Sequence, residues 1–257
     1  MNVLVFDIET IPDLDGGRRI YDLQGLDDKD CANALLNIRR QETGNEFLRL
    51  HLHRVVAISV VLRSAQGVKV WSLGEHDSTE KELIERFYDG IDRFTPQLVS
   101  WNGGGFDLPV LHYRALLHGI SAPRYWETGE EDQSFRWNNY LSRYHQRHLD
   151  LMDMLAMYNN RAYAPLDQIA TLLGFPGKMG MSGGKVFDEY QAGNLAGIRD
   201  YCETDVLNTW LVYLRFQLMR GHLDAVRYDE EVQLLRDYLA AEKRTHFDEF
   251  LAAWKPA

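Results

Sequence analysis

The sequence has 257 residues, which is long enough to bury a substantial hydrophobic core in one large domain or in a domain with an appendage. Hydrophobic residues make up 45% of it and charged residues 26%, a composition typical of globular proteins that excludes disordered and fibrous classes. The formal net charge of -10 disfavours tight binding to a nucleic-acid duplex, although a protein that grips only a strand end needs few phosphate contacts.

Signals for targeting and for covalent cross-links are missing from the sequence. The first ten residues carry acids and no long apolar run, so we expect no signal peptide. No segment is apolar for long enough to span a membrane, and we expect no membrane partner. Cys31 and Cys202 form neither a disulfide framework nor a CxxC motif, so no disulfide is expected. These features predict a cytoplasmic protein, and no pattern indicates its oligomeric state.

The first hundred residues contain most of the predicted strands. Short apolar runs bounded by turn residues predict a first strand and then a hairpin around Gln66-Gly67. The polar segment 13–50 is expected to contain some helix at 32–40, and its role is not assigned. The predicted strands are residues 3–9, 55–63, 68–73 and 97–101.

Helices are predicted to dominate the rest of the chain. Ser78 is the predicted N-cap of a helix that ends at Arg93. The later predicted helices are residues 108–118, 151–159, 166–173, 194–219 and 230–251.

The first acidic motif is formed by Asp7 and Glu9, which continue an apolar run. Alternation along a strand places both side chains on one face of the sheet. Neighbouring like charges on an apolar face are destabilising unless a cation is supplied, so the pair indicates a metal site. The equally weighted alternative is that the strand frays at Asp7 and both carboxylates meet water.

The second acidic motif is NGGGFD at residues 102–107, between a predicted strand and a predicted helix. At this junction a plain helix N-cap is the favoured interpretation of Asp107 taken alone. Three consecutive glycines are not needed for a cap. They indicate that the backbone here closely approaches a ligand or another segment.

The third acidic motif is YCETD at residues 201–205, within the longest predicted helix. A spacing of four places Tyr201 and Asp205 on one face of the helix, while Glu203 points elsewhere. A lone acid on a long helix usually faces water. The apolar neighbours of Asp205 indicate instead that it borders the buried stripe.

Other polar residues receive simpler interpretations. Asp150 is interpreted as the N-cap of a helix, and Asp153 and Asp167 are assigned to caps or to solvent. The nine histidines show no zinc-binding spacing, so no zinc site is expected.

Residues 124–148 alternate aromatic with basic side chains. Aromatic stacking and arginine contacts commonly hold single-stranded nucleic acid, with each stack contributing roughly 1–3 kcal/mol. The alternative, with equal weight, is that the aromatic rings pack on the core. The side chains concerned are Tyr125, Trp126, Phe135, Arg136, Trp137, Tyr140, Arg143, Tyr144 and Arg147.

In this order, FDxE, NxxxFD and YxxxD resemble the Exo I, Exo II and Exo III motifs of DEDDy-type 3′-5′ exonucleases, and the resemblance covers residues 1 to about 220. The sequence is most similar to the stand-alone predicted PolB-like 3′-5′ exonucleases, which are related to the exonuclease domain of family B DNA polymerases. Each motif alone is weakly specific, but the three together are strongly indicative.

The resemblance implies that four carboxylates hold two divalent cations, Mg²⁺ or Mn²⁺. Asp7 would bridge the two cations, Glu9 and Asp205 would complete the first site, and Asp107 would serve the second largely through water. Tyr201 would position the attacking water. A hydroxyl with a reference pKa near ~10 is a poor base at neutral pH but a good hydrogen-bond partner.

The glycine-rich residues 174–184 precede Lys185. They do not form a Walker loop, because Val186 follows the lysine where a serine or threonine is required. A plain surface loop is the favoured interpretation. The alternative is a flexible loop beside the active site, with Lys178 or Lys185 meeting substrate phosphate.

We therefore predict an α/β fold of the ribonuclease-H-like type, with a mixed sheet flanked by helices, an exonuclease domain at residues 1–220 and a helical extension at residues 221–257. The predicted reaction is hydrolysis of the terminal phosphodiester at a single-stranded 3′ end, with DNA favoured over RNA. The alternatives are an RNA-trimming exonuclease and a non-catalytic nucleic-acid-binding module. The predicted substrate-binding residues are Asn102, Phe106, Trp137, Arg143, Tyr144, Lys178 and Lys185.

Overall fold

A five-stranded mixed sheet forms the centre of the computed structural model, which describes residues 2–255. The strand order is β3-β2-β1-β4-β5. The first three strands in the chain pair antiparallel, whereas β4 and β5 run parallel to β1. The strands are β1 (Val3–Pro12), β2 (His53–Ser64), β3 (Gly67–Ser72), β4 (Gln97–Ser100) and β5 (His148–Asp150).

Helices cover both faces of this sheet, so the predicted α/β fold with a mixed sheet flanked by helices is confirmed. The helices are α1 (Leu14–Tyr21), α2 (Asp28–Thr43), α3 (Glu80–Phe94), α4 (Asp107–His118), α5 (Pro123–Trp126), α6 (Leu151–Leu155), α7 (Leu166–Leu172), α8 (Val186–Gln191), α9 (Leu195–Met219), α10 (Ala225–Glu242) and α11 (Thr245–Ala253).

The alternation of β1 divides the core into two layers. Val3 and Val5 pack with α9 and the C-terminal helices on one face, and Leu4 and Phe6 pack with α3 and α4 on the other. Helix α9 is buried on most of its circumference because the sheet lies on one side of it and α7, α10 and α11 lie on the others. This explains why its sequence is apolar almost all round.

The four predicted strands are confirmed with small changes at their ends, but β5 was not predicted. Its three residues are too few to show an alternating pattern, and they form a strand because they pair with β4. The N-cap of α3 is Thr79 and not Ser78. Thr79 and Glu82 form a reciprocal capping box, with Thr79 N donating to Glu82 Oε2 at 2.6 Å, so the helix starts one residue later.

Two helix predictions need correction. The helix that begins at Leu151 ends at Leu155, because Met157 and Tyr158 adopt positive φ angles of 52° and 58°. The predicted helix 230–251 is two helices, α10 and α11, separated at Lys243, whose φ is also positive. Neither break involves glycine or proline, so the sequence carries no strong stop signal at these points.

The C-terminal helices share one core with the sheet. Leu235 and Leu239 of α10 and Phe247 and Phe250 of α11 belong to the same buried cluster as Val5. Arg63 of β2 also donates two hydrogen bonds, of 2.8 and 2.7 Å, to the Glu231 carboxylate. The division of the chain near residue 220 stays a prediction.

Among residues 2–255, no helix combines the length and apolar character needed to cross a membrane. Cys31 and Cys202 are both buried free thiols. They lie in separate hydrophobic clusters, which leaves no disulfide between them.

Candidate active site

Asp7 and Glu9 lie on the face of β1 that packs against α9. The thiol of Cys202 on α9 donates to the Asp7 carbonyl oxygen at 3.5 Å and to Asp7 Oδ2 at 3.7 Å. These contacts show that the Asp7 side chain lies on the face of the sheet toward α9. One ligand atom from each of Asp7, Glu9 and Cys202 lies within 4.8 Å of the others. Strand β1 continues to Pro12, so the alternative of a strand that frays at Asp7 is wrong.

Asp107 is the first residue of α4 and reaches back to β1. The backbone amide of Ile8, between the two acids of β1, donates to Asp107 Oδ1 at 3.2 Å. The N-cap of α4 is Phe106, so the interpretation of Asp107 as a plain N-cap is wrong. Asp107 is buried, and its carboxylate faces the strand that carries Asp7 and Glu9.

Asp205 and Tyr201 lie one turn apart on α9, and the Tyr201 hydroxyl is close enough to the Asp205 carboxyl group to influence its pKa. Glu203 points away from them, as predicted. Its buried carboxylate accepts from Ser72 at 2.8 Å and is paired with Arg244 at 2.8 Å and His246 at 2.9 Å.

Burial raises the pKa of all four carboxyl groups, and repulsion from the other motif acids adds to the rise at Asp7 and Glu9. For Asp7 the causes are burial and then the charges of Asp107, Glu9 and Asp205. Burial, followed by Asp205 and Asp107, raises the pKa of Glu9. Burial is also the main cause that raises the pKa of Asp107 to about 7 and that of Asp205 to about 6. The charges of Asp107 and Asp205 therefore act on Asp7 and Glu9 across a small, desolvated space.

The set of side chains fits divalent cations. Hard cations such as Mg²⁺ prefer carboxylate oxygens, and here four carboxylates converge with little compensating positive charge. The charge of Lys178 lowers the pKa of Glu9 and Asp205 but does not reverse the rise at either group. A bound cation would favour the charged form of these buried carboxylates and so lower their pKa values.

Tyr201 keeps its proton at neutral pH. Burial first, and then the negative charges of Asp205 and Glu9, raise the pKa of its hydroxyl far above the ordinary value. The hydroxyl can therefore donate to Asp205 and accept from another group, but it cannot serve as a base.

A half-open cavity of about 560 Å³ adjoins Glu9. Phe106, whose ring centroid lies 5.1 Å from that of His53 and 5.7 Å from that of Phe47, forms part of its wall, and Asn102 lies beside it. Phe47 and His53 were not identified from the sequence. The one signal in the sequence was Phe47 itself, the single phenylalanine of segment 13–50.

The glycine-rich loop borders the carboxylates, so the interpretation as a plain surface loop is wrong. Gly177 and Asn208 of α9 exchange hydrogen bonds of 3.1 and 2.8 Å, which anchors the loop. Lys178 lies close enough to influence Glu9 and Asp205. Lys185 lines a second cavity, of about 450 Å³, together with Tyr201.

The aromatic and basic segment 124–148 has two separate environments. Tyr125, Phe135 and Tyr140 are buried in the core, where the guanidinium of Arg147 lies 3.8 Å from the Phe135 ring centroid. The prediction that these three rings stack on nucleic acid is therefore wrong.

Other members of the same segment are exposed. Trp137 is 79% and Tyr144 is 70% exposed, and Arg143 pairs with Asp153 at 2.7 Å. Within residues 2–255, no recorded hydrogen bond, ion pair or ring contact joins these three side chains to the four carboxylates. Their role in substrate binding stays a prediction.

The raised pKa values predict how pH and cations change the stability. The folded protein holds the protons of Asp107 and Asp205 more tightly than the unfolded chain does, because the ordinary pKa of an aspartate is 3.8. This contribution to the stability of the metal-free protein is complete below pH ~4 and is lost as pH rises through about 6 to 7. Added Mn²⁺ should restore stability at pH 7.5 and have little effect at pH 4.5.

At 100 times Kd, a cation stabilises the folded state by about 2.7 kcal/mol, which corresponds to roughly 5–10 °C in Tm. Thermal unfolding with EDTA and with MnCl₂ at the two pH values measures this difference. Equal Tm values with and without Mn²⁺ at pH 7.5 would show that the carboxylates bind no cation.

A family model described as a predicted 3′-5′ exonuclease related to the exonuclease domain of PolB matches residues 45–254. The match covers most of the chain, including Asp107, Tyr201 and Asp205, and begins after Asp7 and Glu9. No curated protein shows significant similarity to the chain. The chain therefore belongs to the family of predicted 3′-5′ exonucleases related to the exonuclease domain of PolB.

Proposed function

We propose that this protein is a DEDDy-type exonuclease that uses two divalent cations to hydrolyse the terminal phosphodiester at the 3′ end of single-stranded nucleic acid. The observation that carries the proposal is the convergence of four carboxylates with raised pKa values beside a protonated tyrosine. Family membership supports nuclease activity independently of this geometry.

Asp7, Glu9 and Asp205 would hold one cation and Asp7 and Asp107 the other. Together two such cations stabilise charge on the attacking and leaving oxygens of a phosphodiester. The negative charges of the four carboxylates would balance the positive charges of the two cations. The carboxylates are set in place by β1, by the first turn of α4 and by α9, so their geometry does not depend on the substrate.

Tyr201 orients the attacking water. Its hydroxyl is proposed to donate a hydrogen bond to Asp205, so the lone pairs of the phenolic oxygen remain free to accept a hydrogen bond from water. Since the pKa of Tyr201 is raised, the proton stays on the phenolic oxygen throughout. The residue contributes orientation and does not abstract the proton of the water.

The cavity beside Glu9 is proposed to receive the 3′-terminal nucleoside. Its volume of about 560 Å³ falls within the range of small-molecule pockets, and its wall contains the rings of Phe106 and Phe47. Aromatic rings stack on any nucleobase, which suits a substrate without sequence preference. Asn102 offers a polar contact in the same wall.

Substrate phosphate and the remainder of the strand need separate contacts. Lys178 and Lys185 border the site and are proposed to meet substrate phosphate. The exposed Trp137, Arg143 and Tyr144 are proposed to contact the strand further from its end. DNA is proposed in preference to RNA because the lining of the cavity is mainly apolar.

The proposal is tested with linear DNA and RNA strands labelled at the 5′ end and incubated with Mg²⁺, Mn²⁺ or EDTA. We expect a ladder of progressively shorter labelled DNA products with either cation, slower shortening of RNA, and no reaction in EDTA. If RNA were shortened faster than DNA, the protein would be the alternative, an RNA-trimming exonuclease. Intact strands under every condition would favour a non-catalytic binding module.

A further inference from the structure

Asp150 connects the ends of two neighbouring parallel strands. It is the last residue of β5 and the N-cap of α6, and its Oδ1 accepts from Met152 N at 3.1 Å and from Asp153 N at 3.3 Å. The same carboxylate accepts from Asn102 N and from Gly104 N, both at 2.9 Å, in the loop that follows β4. The two loop contacts go beyond the needs of a helix cap.

The loop held by Asp150 leads directly to Asp107. Gly103 O accepts from Leu108 N at 2.8 Å, which joins the loop to the first turn of α4. A Cβ atom at Gly104 would lie 3.3 Å from Asp150 Oδ2, which is tighter than ordinary contact. The close approach predicted for the three glycines therefore includes an approach to Asp150. A displacement of the loop would move Asp107 relative to Asp7.

We propose that Asp150 is a positioning residue, which holds the 102–106 loop so that the Asp107 carboxylate meets those of β1. The inference rests on the proposed function, because the place of Asp107 affects turnover only if this group binds a cation. Nothing in the proposal requires Asp150 to touch substrate or cation.

The two carboxylate oxygens of Asp150 make different contacts, which allows its positioning role to be tested separately from its capping role. Oδ1 caps α6 and also accepts from Asn102, while Oδ2 accepts from Gly104. Asparagine at position 150 retains one side-chain oxygen and replaces the other by an amino group. An amino group cannot accept a hydrogen bond, so one of the backbone N–H donors loses its partner. Serine retains a competent N-cap but has a single short oxygen, so it loses the contacts to the loop.

The variants Asp150→Asn and Asp150→Ser test this proposal beside a matched control, Asp224→Ser. Asp224 is the N-cap of α10, where its side chain accepts from Arg227 N at 2.8 Å. We expect kcat to fall roughly 10- to 100-fold in the Asp150 variants with little change in KM, because a shift of about 1 Å can cost that much. Asp224→Ser should keep the wild-type kcat.

Two readouts are independent of turnover. Mn²⁺ affinity, measured by electron paramagnetic resonance, should fall in both Asp150 variants. Hydrogen exchange of the amides at 102–105 should become faster. Gly104→Ala provides a second variant that leaves the cap of α6 intact, and it should lower kcat and Mn²⁺ affinity in the same direction while Tm stays near that of the wild type.

Wild-type kcat and Mn²⁺ affinity in folded Asp150→Asn and Gly104→Ala would overturn the positioning role. A loss of kcat with unchanged Mn²⁺ affinity and unchanged amide exchange would also overturn it. If the wild-type protein degrades no nucleic acid, the proposed function fails, whereas Mn²⁺ affinity and amide exchange still decide the role of Asp150.

Discussion

Replacement of Asp7 or Asp205 by alanine is expected to lower kcat for strand shortening by on the order of 1000-fold or more. Each carboxylate contributes to a site that supplies several kcal/mol of transition-state stabilisation, and ~4 kcal/mol corresponds to about 1000-fold. The metal-free fold should survive or become more stable, because each substitution removes one of the charges that raise the pKa values of the others.

Activity and thermal unfolding in EDTA must be measured on the same preparations. Asp229→Ala is a suitable control, since Asp229 is an exposed acid on α10. It should change neither quantity. Wild-type turnover in Asp7→Ala or in Asp205→Ala would exclude the two-cation assignment, whereas joint loss of activity and folding would show that the carboxylates serve mainly in structure.

Tyr201→Phe is expected to lower kcat roughly 10- to 1000-fold, the range for loss of one orienting hydrogen bond in the transition state. KM should change little, and Mn²⁺ affinity should remain, because the phenolic oxygen is proposed to orient water and not to bind the cation. Asp205→Ala, one helical turn away, should instead weaken Mn²⁺ binding. The two variants on α9 therefore separate orientation of water from binding of the cation.

Histidines provide the contrast for Tyr201. His112 forms a 2.9 Å hydrogen bond with Tyr125, and His148 forms one of 2.8 Å with Ser100. Burial lowers the pKa of His112 and of His148 to about 4. His145 accepts from Asn139 N at 3.0 Å. If Tyr201→Phe retained full activity while alanine at one of these histidines abolished it, the DEDDy assignment would be wrong.

The local geometry of the site could be predicted because it depends on periodicity. A period of two along β1 places Asp7 and Glu9 on one face, and a spacing of four along α9 places Tyr201 beside Asp205. That these two pairs meet Asp107 is a tertiary property. It was inferred from the order of the three motifs, through the resemblance to a family, and not from periodicity.

Features that depend on distant pairing were not predictable in the same way. Strand β5 has three residues and exists because it lies beside β4. Asp150 looked like an ordinary N-cap, which it is, but its contacts to Asn102 and Gly104 join positions more than 40 residues apart. No local pattern around residue 150 could indicate them.

Segment 13–50 illustrates a second limit. Its helix around residues 32–40 was expected and lies within α2, whereas α1 was not predicted. The place of Phe47 in the wall of the cavity depends on its packing against Phe106, which is remote in the sequence. Composition and periodicity describe a segment by itself, and they carry no information about the surface that it covers.

Exonuclease action at a 3′ end is tested most directly with two forms of one DNA sequence, a linear strand and a covalently closed circular single strand, mixed with Mg²⁺ and the wild-type protein. The linear strand should be degraded to mononucleotides from its 3′ end while the circle persists, because hydrolysis requires a terminal nucleoside in the cavity beside Glu9. Cutting of the circle at a rate similar to that of the linear strand would contradict this and identify an endonuclease.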